Sequence, residues 1–170
     1  LTARPGWLRL IGRDSIHSLF DQSLVARRLQ STQLLATTRL QFEPTRFTQS
    51  AGLILYYDTR QHFYLRVTHD EALGRVLGIV ATDDGIYDEL LDSQLAIANW
   101  HDIYLRCELN HAAAQFSASP DGVRWQSVGP TLDASKISDD YGSALRFTGG
   151  MIGLCAQDVA GTRRAADFDF

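Results

Sequence analysis

Carboxylates are the residues of this sequence that could do hydrolytic chemistry, and several occur in pairs. The tail Asp167-Phe168-Asp169-Phe170 places two carboxylates on one face of a strand and two phenylalanines on the other. Glycoside hydrolysis needs two carboxyl groups about 5 to 10 Å apart across the scissile bond. A terminal strand with its phenylalanines in the core and its aspartates in water explains the same pattern, and we favour that interpretation.

The other acidic pairs are Asp83-Asp84, Asp88-Glu89 and Asp139-Asp140, and each joins direct neighbours in a turn-like context. Neighbouring residues of a strand point to opposite faces, so these pairs are poor acid and base partners. Solvated turns are the better interpretation. A calcium site on these turns is the alternative, because Ca²⁺ accepts oxygen ligands from flexible loops, but no EF-hand spacing supports it. The sequence predicts no catalytic set, no metal and no cofactor within this chain, which leaves open whether it is an enzyme.

Histidine and cysteine give no stronger signal for catalysis. His69-Asp70-Glu71 lacks a Ser or Cys nucleophile nearby, so we expect the end of a hairpin there. The remaining histidines are scattered, at His17, His62, His101 and His111. Cys107 and Cys155 lie in strand-like runs without metal-ligand spacing, and buried free thiols are the favoured prediction over a single disulfide.

Aromatic residues could bind sugar rings by stacking if their faces were exposed. We expect most of them to pack in the core or at its rim, because large aromatic side chains dominate the buried area of sandwiches. The candidates are Trp7, Trp100, Trp125, Tyr56, Tyr57, Tyr64, Tyr87 and Tyr104.

The composition fits one folded domain over residues 1–170, with 45% apolar residues and a formal charge of −4. Arginines are spread along the chain without a basic stripe, which argues against a nucleic-acid partner. The longest apolar runs fall far short of the roughly 20 residues of a membrane span, so no membrane partner is expected.

The chain starts at Leu1 without an initiating Met, and we expect a fragment of a longer, cytoplasmic protein.

Short runs rich in β-branched, aromatic and Leu residues, fenced by turn residues, predict an all-β sandwich. In Phe63–Thr68 the alternation predicts a half-buried antiparallel strand with Phe63, Leu65 and Val67 on one face. Asp133–Tyr141 could form a short helix or turn capped by Asp133. The predicted strands are Trp7–Ile11, Leu24–Leu29, Leu34–Phe42, Ala51–Tyr57, Phe63–Thr68, Arg75–Ala81, Ile103–Leu109, Ala112–Ser119 and Gly150–Ala156.

Several segments together resemble one known family, and two of them are specific. These two are the run Phe20-Asp21-Gln22-Ser23-Leu24-Val25-Ala26-Arg27-Arg28 and the segment around Phe147-Thr148-Gly149, while the Asp121-Gly122-x-x-Trp125 turn is common in lectin-like sandwiches. The chain resembles, over nearly its whole length, the C-terminal concanavalin A-like domain of family 43 glycoside hydrolases, the β-xylosidases and α-L-arabinofuranosidases. The resemblance implies a jelly-roll antiparallel β-sandwich.

The resemblance also implies a division of labour. In that family the catalytic carboxylates sit on an N-terminal five-bladed propeller of the same protein, which this chain does not contain. Water attacks terminal xylose or arabinose units there with inversion, and the sandwich packs on the propeller and supports homo-oligomers. The resemblance therefore names the propeller as the partner, and xylo- or arabino-oligosaccharides as substrates that reach the sandwich through it.

One residue of this chain is implied in the sugar pocket. A sandwich loop of the family presents a phenylalanine toward the substrate, and the matching position here is Phe147. An apolar ring would exclude water, and Gly149-Gly150 would allow a tight exposed bend. The alternative is that Phe147 is the first buried residue of the next strand. Gly142–Arg146 reads as an insertion, where the family pattern suggests a shorter approach.

Three functions follow as competing predictions for the chain. The leading one is a non-catalytic accessory domain that helps to close the pocket of a family 43 enzyme. The second is an autonomous carbohydrate-binding module that stacks xylan on a concave face. The third is a structural sandwich that only buries an interdomain surface.

Overall fold

Two antiparallel sheets face each other in the computed structural model, which describes residues 4–142 and 146–169. Sheet A has six strands in the order β1-β13-β3-β9-β10-β11, and sheet B has seven, in the order β2-β12-β4-β5-β6-β7 with β8 paired to β6. The strands are β1 (Leu8–Ile11), β2 (Ser23–Arg28), β3 (Gln33–Gln41), β4 (Gln49–Asp58), β5 (Gln61–Asp70), β6 (Gly74–Asp83), β7 (Ile86–Glu89), β8 (Leu95–Ala96), β9 (Ile103–Asn110), β10 (Ala113–Ser119), β11 (Gln126–Asp133), β12 (Met151–Asp158) and β13 (Ala165–Asp169).

The main core lies between the two sheets, as the alternation in the sequence predicts. Phe63, Leu65 and Val67 point from β5 into it and are at most 3% exposed. Phe168 on β13 is fully buried opposite Leu8 of β1. Each such side chain stabilises the fold by roughly 1.5–3 kcal/mol through burial.

The opposite face of β5 departs from the predicted half-buried strand. Tyr64 is only 1% exposed and Thr68 only 5%. A segment around Ile16 crosses the outer face of sheet B and forms a second apolar cluster with Tyr64 and Val80. The Ile16 amide donates a 2.6 Å hydrogen bond to Gln157 Oε1, which fixes the segment to β12. The sequence analysis missed this cover because it depends on residues far apart in the chain.

All nine predicted strands are present, with ends shifted by up to two residues, and the terminal strand β13 is present as well. Three strands were missed. β11 contains Pro130, which cannot donate to a ladder, and it forms an edge of sheet A, where such a residue is tolerated. β7 and β8 have four and two residues, too few to show an alternation.

Two short 3-10 helices complete the described chain, at Leu91–Ser93 and Ala134–Lys136. The second confirms the turn predicted after Asp133, whose side chain accepts a hydrogen bond from the Ser135 amide. Within residues 4–142 and 146–169, neither helix has the length or the apolar character that crossing a membrane requires.

Candidate functional site

The segment that carries Phe147 leaves β11 and returns to sheet B at β12. Phe147 is 80% exposed, and the strand begins only at Met151. The alternative prediction, that Phe147 is the first buried residue of that strand, is therefore wrong. Residues 143–145 of the expected insertion lie outside the described residues. We call residues 134–142 together with 146–150 the Phe147 loop.

Tyr57, near the end of β4, holds both sides of this loop. Its hydroxyl donates a 2.5 Å hydrogen bond to Asp139 Oδ1 and accepts one of 3.3 Å from the Thr148 amide. Asp139 Oδ1 also accepts a 2.9 Å bond from the Gly149 amide. The Tyr57 hydroxyl, followed by the Gly149 amide, holds the pKa of the Asp139 carboxyl below its ordinary value. The carboxylate therefore ties the start of the loop to its end.

A second attachment lies on the β6–β7 hairpin. Lys136 Nζ lies 2.5 Å from Asp83 Oδ2, and the Tyr141 hydroxyl donates to the same oxygen at 3.2 Å. Burial alone would raise the pKa of Asp83, but the bonds from Lys136 and Tyr141 outweigh it, so the pKa is lowered. Asp83 therefore serves as a loop anchor and not as a freely solvated turn residue.

Consecutive side chains of the loop point in opposite directions. Arg146 is 8% exposed and its guanidinium lies 4.9 Å from the centroid of the Tyr57 ring, a cation–π contact. Phe147 points to solvent instead. The backbone between them and β12 needs glycine: Gly149 has φ +70°, and a Cβ at Gly150 would come within 2.5 Å of the Ile137 carbonyl oxygen. The expected bend is confirmed at Gly149, whereas Gly150 is buried and has no left-handed backbone.

The carboxylates of the tail form no catalytic pair. Asp167 is 8% exposed and accepts from Arg4 at 2.9 Å and from Arg9 at 2.7 Å. The bond from Arg9 is the main cause that lowers its pKa, so this group cannot act as a proton donor near neutral pH. Its expected place in water is wrong, whereas the burial of Phe168 is confirmed; Phe170 lies outside the described residues.

The remaining candidates have structural roles or none. Asp84 pairs with Arg60 in the β6–β7 turn, and Asp88 and Glu89 lie on opposite faces of β7. His69-Asp70-Glu71 marks the β5–β6 hairpin, as predicted. Over residues 4–142 and 146–169, no group of three or more His, Cys, Asp or Glu side chains could hold a metal ion.

Both cysteines are buried free thiols, as predicted. Cys107 faces the main core, and Cys155 belongs to the cluster on the outer face of sheet B. The two thiols therefore lie on opposite sides of sheet B, which rules out a bridge between them.

Most aromatic candidates are packed, as expected. Tyr56, Tyr57 and Tyr64 are at most 9% exposed. The rings of Trp7 and Trp125 are covered by the guanidinium groups of Arg4 and Arg106, at 3.7 and 3.5 Å from the ring centroids. Trp100 packs on the main core, Tyr104 is half-buried on sheet A, and Tyr87 is 48% exposed.

A sandwich with no catalytic carboxylate pair among its described residues, and with one exposed phenylalanine on a tied loop, can now be compared with known proteins. The profile of the beta xylosidase C-terminal concanavalin A-like domain matches residues 1–170. The chain belongs to this family. A putative beta-xylosidase of Escherichia coli K12 is 40% identical over 173 residues, and a xylan 1,3-beta-xylosidase of a Vibrio species is 38% identical over 171.

Solved structures agree with this assignment. A xylan beta-1,4-xylosidase from Bacillus halodurans C-125 superposes with a TM-score of 0.95 at 43% identity, over 98% of this chain and 32% of the other. The Escherichia coli and Vibrio relatives are likewise covered over 100% of this chain and 32% of their own length. This chain thus spans about one third of the length of the relatives it matches and corresponds to their C-terminal domain.

Proposed function

We propose that this chain acts as a non-catalytic accessory domain, which packs on the catalytic propeller domain of the same protein and places Phe147 over its sugar pocket. The observation that carries the proposal is the exposed ring of Phe147 on a loop held at Tyr57 and Asp83. A tethered ring can exclude water and shape a pocket without a large ordering cost on binding. An unrestrained loop would have to be ordered on binding, and the entropy cost would offset much of the favourable contact made by the ring.

The reaction served would be the hydrolysis of terminal xylose or arabinose units from oligosaccharides. Support comes from the relatives, which are named as xylan 1,3-beta-xylosidase and beta-xylosidase, while a relative from Humicola insolens is named xylosidase/arabinosidase. Because the same sandwich accompanies different linkages and sugars, we place substrate preference in the catalytic domain. We also propose that the sandwich supports a homo-oligomer of the parent protein.

We propose a cytoplasmic location for the parent protein. Cys107 and Cys155 are both free and buried, which agrees with a reducing compartment.

The test uses the full-length enzyme with Phe147→Ala and a nitrophenyl xyloside or xylobiose as substrate. We expect kcat/KM to fall by about tenfold, since an aromatic contact of the usual strength is lost from the transition state. Val123→Ala removes another exposed apolar side chain, on a different turn, and is the matched control. Unchanged kinetics in Phe147→Ala would overturn the pocket-closing role of Phe147.

A further inference from the structure

A groove runs over the outer face of sheet B, and none of its lining residues belongs to the Phe147 loop. It consists of two adjoining cavities of about 380 and 310 Å³. Phe47 and Thr48 line both cavities, which therefore adjoin at these two residues. We call this feature the outer groove and define it by Phe47, Thr48, Arg66, Tyr87 and Glu89. Its combined size suits an extended ligand of several units.

The floor of the larger cavity is buried and hydrogen-bonded. Tyr64, Ser50 and Val80 lie there, each at most 2% exposed. The Tyr64 hydroxyl donates to the Cys155 carbonyl at 3.1 Å, and Ser50 Oγ accepts from Gln157 Nε2 at 3.0 Å. These bonds hold the floor in one arrangement, so a ligand would meet a preformed surface.

The polar groups of the outer groove are balanced in charge. Arg66 Nη2 lies 2.9 Å from Glu89 Oε1, and the Tyr87 hydroxyl donates to the same oxygen. The smaller cavity likewise contains one arginine, Arg46, and one glutamate, Glu71. An anion would meet a glutamate in each cavity and a cation would meet an arginine, whereas neutral hydroxyl groups can pair with both.

Exposed aromatic side chains stand beside these charged groups. Phe47 is 68% exposed and Tyr87 is 48% exposed, in contrast to the buried Tyr64 below them. The His17 ring contacts the Tyr87 ring edge-on, with ring centroids 5.8 Å apart. Aromatic faces next to planar hydrogen-bonding groups fit a ligand with apolar C–H faces and hydroxyl edges. Sugar rings have that character.

We propose that the outer groove binds a neutral oligosaccharide chain, with Phe47 and Tyr87 stacking on sugar faces and the Arg66–Glu89 pair bonding to hydroxyl groups. Phe147 is not among the residues that line the groove. Only the choice of a xylan fragment as probe rests on the proposed function.

The 170-residue chain has its own core and can be tested as it is. Xylohexaose is titrated into it by calorimetry and by ¹H–¹⁵N NMR, with cellohexaose and hexagalacturonate in parallel. We expect saturable binding of a neutral hexaose, with shifts at Thr48, Arg66 and Tyr87. Phe47→Ala and Tyr87→Ala should each weaken association about three- to tenfold. Glu89→Gln, which keeps the shape but removes the charged acceptor, should weaken it as well.

The matched control is Phe20→Ala, which removes a 95% exposed phenyl ring outside both cavities and should leave the affinity unchanged. No saturable shift up to about 10 mM of either neutral hexaose would overturn the proposal. So would binding that is insensitive to Phe47→Ala and Tyr87→Ala, or tighter binding of hexagalacturonate. The catalytic domain is absent from this experiment, so a negative binding result does not bear on the role of Phe147. The kinetics of Phe147→Ala likewise do not test the groove.

Discussion

Tyr57 and Asp139 lie 82 residues apart in the chain, yet the hydroxyl of one donates a 2.5 Å hydrogen bond to the carboxylate of the other. The same two side chains receive the amides of Thr148 and Gly149. One phenol and one carboxylate thus connect β4 to both sides of the Phe147 loop. The position of the exposed ring depends on a tyrosine that is itself buried.

Tyr57→Phe is expected to loosen the Phe147 loop while the sandwich stays folded. The ring still packs, but the bonds to Asp139 and to the Thr148 amide are lost. Amide hydrogen exchange at Thr148 and Gly149 should become about fivefold faster, the effect of one ordinary hydrogen bond. Tyr104→Phe, on the outer face of sheet A, is the control and should leave the loop unchanged. Equal exchange rates in both variants would show that the Tyr57 hydroxyl does not hold the loop.

His62 should make the fold sensitive to acid. The side chain is fully buried, and burial, assisted by the nearby His17 ring, lowers its pKa to about 4, although the Asp58 carbonyl opposes this. Between pH 6.5 and pH 4, His62 is therefore protonated in the unfolded state but neutral in the folded state. Stability should fall by roughly 2–3 kcal/mol from pH 7 to pH 4 on this account.

Urea unfolding at several pH values measures this loss. His62→Gln should flatten the pH dependence in the stated range, whatever its effect at pH 7. His101→Gln, at a side chain that is 87% exposed, should retain the slope of the parent chain. A full slope in His62→Gln would assign the acid sensitivity to other groups.

The two thiols should be unreactive until the chain unfolds. Burial raises the pKa of Cys107 and of Cys155 to about 12 in each case, so almost no thiolate exists at pH 8. Ellman's reagent should therefore modify neither residue in the native protein and both of them in urea. Rapid modification of one thiol under native conditions would mean that its sheet opens locally.

Phe168→Ala should destabilise the sandwich by about 3–5 kcal/mol, because it leaves a cavity at a fully buried site between the sheets. Val123→Ala, at a side chain that is 79% exposed, should change the free energy of unfolding by less than about 0.5 kcal/mol. Denaturant titrations of both variants compare them directly. A small loss in Phe168→Ala would show that β13 contributes little to the core.

The sequence was sufficient for the strands whose alternation is local. Phe63, Leu65 and Val67 are buried where the period of two predicts, and the turn after Asp133 follows from its capping residue. Contacts between residues far apart in the chain could not be predicted from local alternation. The cover of sheet B by Ile16 depends on Gln157, 141 residues later, and no local pattern contains that bond.

The candidate site likewise depends on long-range contacts that the sequence does not reveal. Phe147 could be selected from the sequence only through a family resemblance, because an isolated phenylalanine before a strand looks like a core residue. Its exposure follows from the left-handed Gly149 and from the Tyr57–Asp139 bond, which appear only when β4 and the loop are placed together. The outer groove was equally hidden, since Phe47, Arg66 and Tyr87 come from three separate segments.

The position of β13 between β1 and β3 has a consequence for biosynthesis. Leu8, near the start of the chain, finds its partner in Phe168, near the other end. During synthesis, β1 therefore stays unpaired until β13, near the end of the chain, has been translated. Anything encoded upstream has time to fold first, since domains generally fold as units during synthesis from the N-terminus. The sandwich would then close against a neighbour that is already in place.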